Sequence, residues 1–210
     1  MNSNKTYKII ELFLLFVIVP LLLALNLPTK IKVSSVIVAL VYVCFISYKN
    51  KKTFNFRVGY NKPSKKYILR LLSISILLIV GGFFVINFIN PQLLFKVPKE
   101  KPLLWLTILF VYAFLSVIPQ ELVYRGFFYN RYSLLFNNKN QLAILNVICF
   151  SWCHLFLHNL WVMLITAVGG ILFLYTYREE KSIFWTVVEH SVYGNLVFTL
   201  GLGEMLAFPS

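Results

Sequence analysis

Residues Ile68–Ile89 read ILRLLSISILLIVGGFFVINFI, a stretch whose one charge is Arg70. A run this long and this apolar meets the requirement of about 20 residues for a helix that crosses a bilayer. Outward from it lie six more apolar stretches: Ile9–Leu27, Val33–Tyr48, Leu103–Pro119, Leu142–Leu157, Leu160–Tyr177 and Ile183–Leu202. The turns between them are short and rich in Pro, Asn and Lys, as at Asn90-Pro91, Lys99–Pro102 and His158-Asn159. The second and fifth stretches are short for a perpendicular span, and the fifth and sixth nearly abut, so six or eight spans also fit.

Composition agrees. Of the 210 residues 59% are hydrophobic and 13% charged, against roughly 45–50% and 25% in a soluble domain. A soluble fold, a disordered chain and a disulfide scaffold are excluded. The expected fold is all-α, a polytopic membrane bundle of about seven transmembrane helices forming a single integral-membrane domain over residues 1–210. Cys44, Cys149 and Cys153 all fall in spans, so no disulfide framework is expected. Cys149 and Cys153 stand one turn apart beside His154, where a metal site is conceivable, but they read as small apolar filler.

Twenty Lys and Arg face seven acids, a formal charge of +13. With seven spans, most of the basic residues fall on one side: Lys5, Lys8, the Lys49–Lys66 loop, Arg131, Lys139, Arg178 and Lys181. The positive-inside rule then places the N-terminus in the cytoplasm and the C-terminus outside. The first stretch carries no small-residue cleavage site and reads as an anchor. The basic 49–66 loop is read as a topology signal attracted to anionic lipid, with no nucleic-acid partner.

Ionisable groups inside spans are costly and point to function. Three places break the apolar pattern: Gln120-Glu121 with Arg125 after Pro119, Phe150 with His154, and Glu189-His190 followed by Gly194-Asn195. Glu121 and Arg125, four apart, share a helical face. Pro119 lacks an N–H and predicts a kink or a polar cavity. Asn146, Phe150, His154 and His158 form a further stripe at helical spacing, with His158 an interfacial turn residue. At about 1.5 Å per residue, Glu121 lies roughly 15 Å from Arg131, His190 roughly 14 Å from Lys181, and His154 roughly 20 Å from Gln141. Three helices thus carry polar groups to similar depth, which predicts that they converge. A carboxylate, two imidazoles and an amide in a water-poor pocket suit water attack on an amide bond, with one His placing the water and the other, with Asn195, holding an oxyanion. They also suit a proton relay in a transporter. Glu189 points about 100° away from His190 and is expected to pair with a lipid-exposed or loop cation.

At these residues the sequence resembles the CPBP family of CAAX-protease and bacteriocin-processing intramembrane peptidases, also called the Abi family. Its motifs are EExxxR, FxxxH, and a His followed four residues later by Asn or Asp. Gln120-Glu121-x3-Arg125 matches the first except at its first acid, Phe150-x3-His154 matches the second, and His190 begins the third with Gly194 at the amide position and Asn195 one residue on. The motif-bearing core is about residues 103–202. The resemblance implies an intramembrane glutamate-type endopeptidase, active on a peptide or a membrane-protein tail. Glu121 would be the base, His154 would position water, His190 and Asn195 would stabilise the oxyanion, and Arg125, Gln120 and Phe150 would support them. It implies no cofactor. A divalent metal such as zinc at His154 and His190 is the alternative, although Leu155 stands where an HExxH motif needs its Glu. Because Gln120 cannot act as a base, a catalytically inactive relative serving as an immunity or scaffold membrane protein is the second reading.

Overall fold

The computed structural model of the chain describes residues 3–50, 59 and 61–203. Among these the secondary structure is helical throughout. Six helices are long and apolar enough to cross a membrane: α1 (Lys5–Ala24), α2 (Thr29–Lys49), α3 (Lys65–Ile89), α4 (Pro102–Leu135), α5 (Lys139–Leu157) and α6 (Leu160–Glu180). A seventh, α7 (Ile183–Leu200), matches the last predicted stretch, but the polar groups it carries keep it out of that set. Large apolar side chains such as Phe88, Leu103 and Leu134 face outward, while Glu11, Glu121, Arg125, Thr176 and Glu189 are buried. Apolar outside and polar inside is the distribution that lipid demands. The chain is a multi-pass membrane protein.

The main departure from the sequence reading is α4. Expected to end at Pro119, it runs to Leu135, a length of about 50 Å. The helix survives the proline by widening: Tyr112–Val117 and Leu122–Phe127 are π-helical, on either side of Ile118–Glu121. The Ile118 N–H reaches back five residues to the Ala113 carbonyl. α1 repeats the device, with a π-helical Leu14–Ile18 just ahead of Pro20. Wide turns of this kind absorb an imino residue without ending the helix. The stripe through Asn146, Phe150, His154 and His158 also stops early. Regular helix in α5 ends at Trp152, so His154 lies in the turn beyond it, and His158 adopts a left-handed conformation before α6.

Contacts divide the chain into two compact units, Met1–Arg57 with Leu122–Leu174, and Val58–Glu121 with Tyr175–Ser210. In the first unit, Phe16 of α1 packs edge-on against Tyr124, Phe128 and Tyr132 of α4 at 5.0 to 6.0 Å. The buried Glu11 carboxylate accepts two hydrogen bonds from Arg131, at 2.8 and 2.7 Å, and others from Tyr132 and Tyr42. One acid thereby ties α1, α2 and the end of α4 together. The Asn146 amide of α5 donates to the Tyr124 carbonyl at 2.8 Å, satisfying a backbone acceptor within the π-helical turn.

In the second unit α3 and α7 run parallel. The Tyr67 hydroxyl donates to the Trp185 carbonyl, Arg70 meets Glu189, and Gly82 lies against Leu200, so contacts advance in step along both helices. The Ser64 side chain caps α3 at Tyr67, and Glu180 from the end of α6 accepts from the Ser64 N–H and hydroxyl. α7 ends at Gly201, where φ is +112° and a Cβ would fall 2.1 Å from the Leu93 carbonyl oxygen, so that close approach requires glycine. Val97, Ile108, Tyr112, Val117 and Phe198 form the apolar core of this unit. Of the basic 49–66 loop, residues 51–58 and 60 lie outside the described residues; Lys62, Lys65 and Lys66 are exposed.

The Glu11–Arg131 pair yields a stability test. Arg131→Ala leaves a buried carboxylate without its guanidinium and is expected to cost about 3–5 kcal/mol. Denaturant unfolding in detergent micelles measures it, and the double replacement Glu11→Leu/Arg131→Leu is expected to recover most of the loss.

Candidate active site

Glu121 sits at the end of the short α-helical stretch Ile118–Glu121 between the two π-helical turns, and its side chain is fully buried. His190 sits midway along α7 and is 5% exposed. The two meet: His190 Nδ1 and Glu121 Oε1 are 2.8 Å apart. The sequence reading had placed both at the same depth, and the structure joins them. A carboxylate and an imidazole in hydrogen-bond contact inside an apolar body can exchange or share a proton, which is what general acid–base chemistry needs.

Tyr112 completes the surroundings of His190. Its ring packs edge-on against the imidazole, centroids 5.9 Å apart and planes at 82°, and against Phe198 at 4.7 Å. The same ring explains Gly194. A Cβ at that position would lie 2.2 Å from the Tyr112 hydroxyl oxygen and 2.3 Å from Cζ, so no side chain fits beside it. α7 continues as unbroken α-helix past Gly194. Asn195 therefore projects about 140° round the helix from His190, with no bulge to bring it back. Its Oδ1 is buried without a hydrogen-bond partner, and its backbone carbonyl accepts from Thr199 at 2.7 Å. Gln120 turns its amide back along α4 and donates to the Ser116 hydroxyl at 2.8 Å, leaving Oε1 buried and unpartnered.

Glu189, next to His190 in sequence, has a different setting. Arg70 of α3 approaches its Oε1 at 3.4 Å, Thr176 of α6 donates to Oε2, and Tyr193 donates to Oε1 at 3.1 Å. Arg70 also bonds Thr176 and lies over the Tyr175 ring, 4.6 Å from its centroid. The expected cation is thus Arg70, held within α3 and 18% exposed rather than on a loop or facing lipid. Two helices, α3 and α6, close on Glu189, and their contacts with it fix the rotation of α7.

The remaining predicted residues belong to the first unit and gather around Phe150. Arg125 is fully buried, donates from Nη2 to the Gly170 carbonyl at 3.3 Å, and lies over the Phe150 ring at 4.4 Å. Close approach of α6 is possible because Gly170 has no side chain, since a Cβ there would lie 3.1 Å from Phe150 Cδ1. His154 packs edge-on to the same ring at 5.2 Å, with Nδ1 2.9 Å from the Phe150 carbonyl. Among the described residues no three His, Cys, Asp or Glu side chains group as metal ligands, the Cys149–Cys153–His154 run included.

The sequence reading missed Tyr112, Arg70, Thr176 and Tyr193 as partners. Two signals pointed to them: a charge in the middle of a span, which needs an opposite charge nearby, and a glycine where a polar side chain was expected.

Residues 102–196 match the family model described as Type II CAAX prenyl endopeptidase Rce1-like. This is the segment that carries all seven predicted site residues, and the match agrees with the CPBP resemblance. Over these residues the chain is similar to CAAX-protease-type endopeptidases. No curated protein and no solved structure gives a significant match.

The fit of Tyr112 against α7 can be tested by stability. Gly194→Ala is expected to cost about 1–3 kcal/mol through overpacking, read by thermal unfolding in micelles. Adding Tyr112→Ala is expected to make the two effects clearly non-additive, because the clash disappears with the ring.

Proposed function

We propose that this protein is an intramembrane endopeptidase of the CAAX-protease type that hydrolyses a peptide bond near the membrane by attack of water. The observation that carries the reading is the buried Glu121–His190 contact of 2.8 Å, joining two helices within the segment that matches the family. Glu121 takes a proton from water as the hydroxide oxygen adds to the scissile carbonyl carbon. The carbonyl π electrons move onto oxygen, and collapse of the tetrahedral species expels the amine, which receives its proton from Glu121. His190 orients the carboxylate through Nδ1 and, as the imidazolium, presents Nε2–H to the oxyanion. The resemblance alone assigns water placement to His154 and an oxyanion hydrogen bond to Asn195, which lies about 140° round α7 from His190. The resemblance assigns Arg125 and Phe150 supporting roles, and Gln120 is assigned the binding of substrate or water. No metal takes part.

The substrate class follows the family description: a peptide or a membrane-protein tail, prenylated in the manner that description names. By the bias of basic residues the N-terminus is cytoplasmic and the C-terminus outside, and the basic charge of the 49–66 segment attracts anionic lipid. The second reading is a silent relative acting by binding, and the specific feature behind it is the amide at Gln120, tied to Ser116.

Comparison of protein termini in host membranes separates the two. Wild type is expected to generate new termini that are lost in a deletion and reduced at least a hundredfold in Glu121→Gln and in His154→Ala at matched expression. If Glu121→Gln keeps the wild-type termini while the deletion has a phenotype, the protein works by binding. Incubation with a chelator of divalent metals is expected to leave cleavage unchanged, and its loss would favour the zinc alternative.

A further inference from the structure

The Glu121–His190 contact leaves a gap in the oxyanion machinery. An imidazole whose Nδ1–H donates to a carboxylate carries a lone pair on Nε2, and it becomes a donor there only with a second proton. Asn195 lies about 140° round α7 from His190. Position 194 lies only about 40° from His190, on the same side of the helix, and it is glycine. What fills that space is Tyr112: its hydroxyl oxygen lies 2.2 Å from where a residue-194 Cβ would be. Its ring stands edge-on to the His190 imidazole. Tyr112 is buried and comes from α4, the helix that supplies Glu121.

We propose that Tyr112 is a catalytic residue of this chain, its O–H donating the hydrogen bond to the oxyanion that a side chain at position 194 would otherwise supply. The inference rests on the peptidase reading above. A phenol donates whether or not His190 carries its second proton, so the site keeps an oxyanion donor while His190 serves Glu121. The hydroxyl forms no covalent bond and loses no proton; it stabilises negative charge on the former carbonyl oxygen until the C–N bond breaks. Gly194 is then the complement of Tyr112, the vacated position into which the ring from α4 reaches.

The test is Tyr112→Phe, which keeps the ring and its packing on His190 and Phe198 and removes one oxygen. New termini are followed by pulse–chase in host membranes for wild type, Tyr112→Phe, Asn195→Ala and Glu121→Gln, with thermal unfolding in micelles as the fold control. Loss of one oxyanion donor typically lowers turnover by about 10²–10³-fold, and that is the effect expected of Tyr112→Phe with melting little changed. Asn195→Ala is expected to have the smaller effect. Wild-type turnover in Tyr112→Phe, with Glu121→Gln inactive, would overturn this assignment and leave the peptidase reading in place. If wild type yields no new termini, or Glu121→Gln is as active as wild type, the peptidase reading falls and this inference with it. An equal loss of turnover in Tyr112→Phe accompanied by a large drop in melting temperature would also count against it, since the hydroxyl would then be structural.

Discussion

A carboxylate buried among apolar helices must find a partner or give up its charge, and three buried glutamates organise this protein around that constraint. Glu11 meets Arg131 with the hydroxyls of Tyr132 and Tyr42. Glu189 meets Arg70 with the hydroxyls of Thr176 and Tyr193. Both are guanidinium pairs surrounded by further donors, and each ties helices together within its own unit. Glu121 meets an imidazole. Arginine only donates, whereas an imidazole can donate from one nitrogen and accept at the other. The first two pairs therefore act as locks, and the third is suited to chemistry.

The Glu189 lock and the working pair are connected through α7. Glu189 and His190 are neighbours in sequence and point to different sides of one helix. Clamping Glu189 from α3 and α6 sets the helix's rotation, and that rotation sets where His190 meets Glu121. On the other helix, the two π-helical turns around Ile118–Glu121 hold the carboxylate in a segment that Pro119 would otherwise break. Wide turns of this type recur at functional sites because they turn side chains away from their regular helical positions.

Much of this was legible in the sequence. Hydropathy found every long helix, because lipid imposes length and polarity on each span independently. Equal depth predicted that Glu121, His154 and His190 converge, since depth along a helix depends only on residue count, and of these Glu121 and His190 meet. The end of α4 was misread because a proline and three polar residues interrupt the apolar run, and hydropathy cannot see that π-helical turns carry the helix onward. Arg70 stood in plain view within a span, but its partner lies 119 residues away, and no local pattern joins them. Tyr112 was hidden for a different reason: one aromatic in an apolar stretch looks like filler until a neighbouring glycine shows what it packs against.

Turnover in a double-mutant cycle tests the central claim, that Glu121 and His190 act as one unit, most directly. Glu121→Gln, His190→Gln and the double variant are compared for cleavage rate in membranes at equal protein level. Groups that act together show strongly non-additive losses, so the double variant is predicted to be no worse than the more damaged single one. Losses that multiply, or a single variant at wild-type rate, would contradict the account.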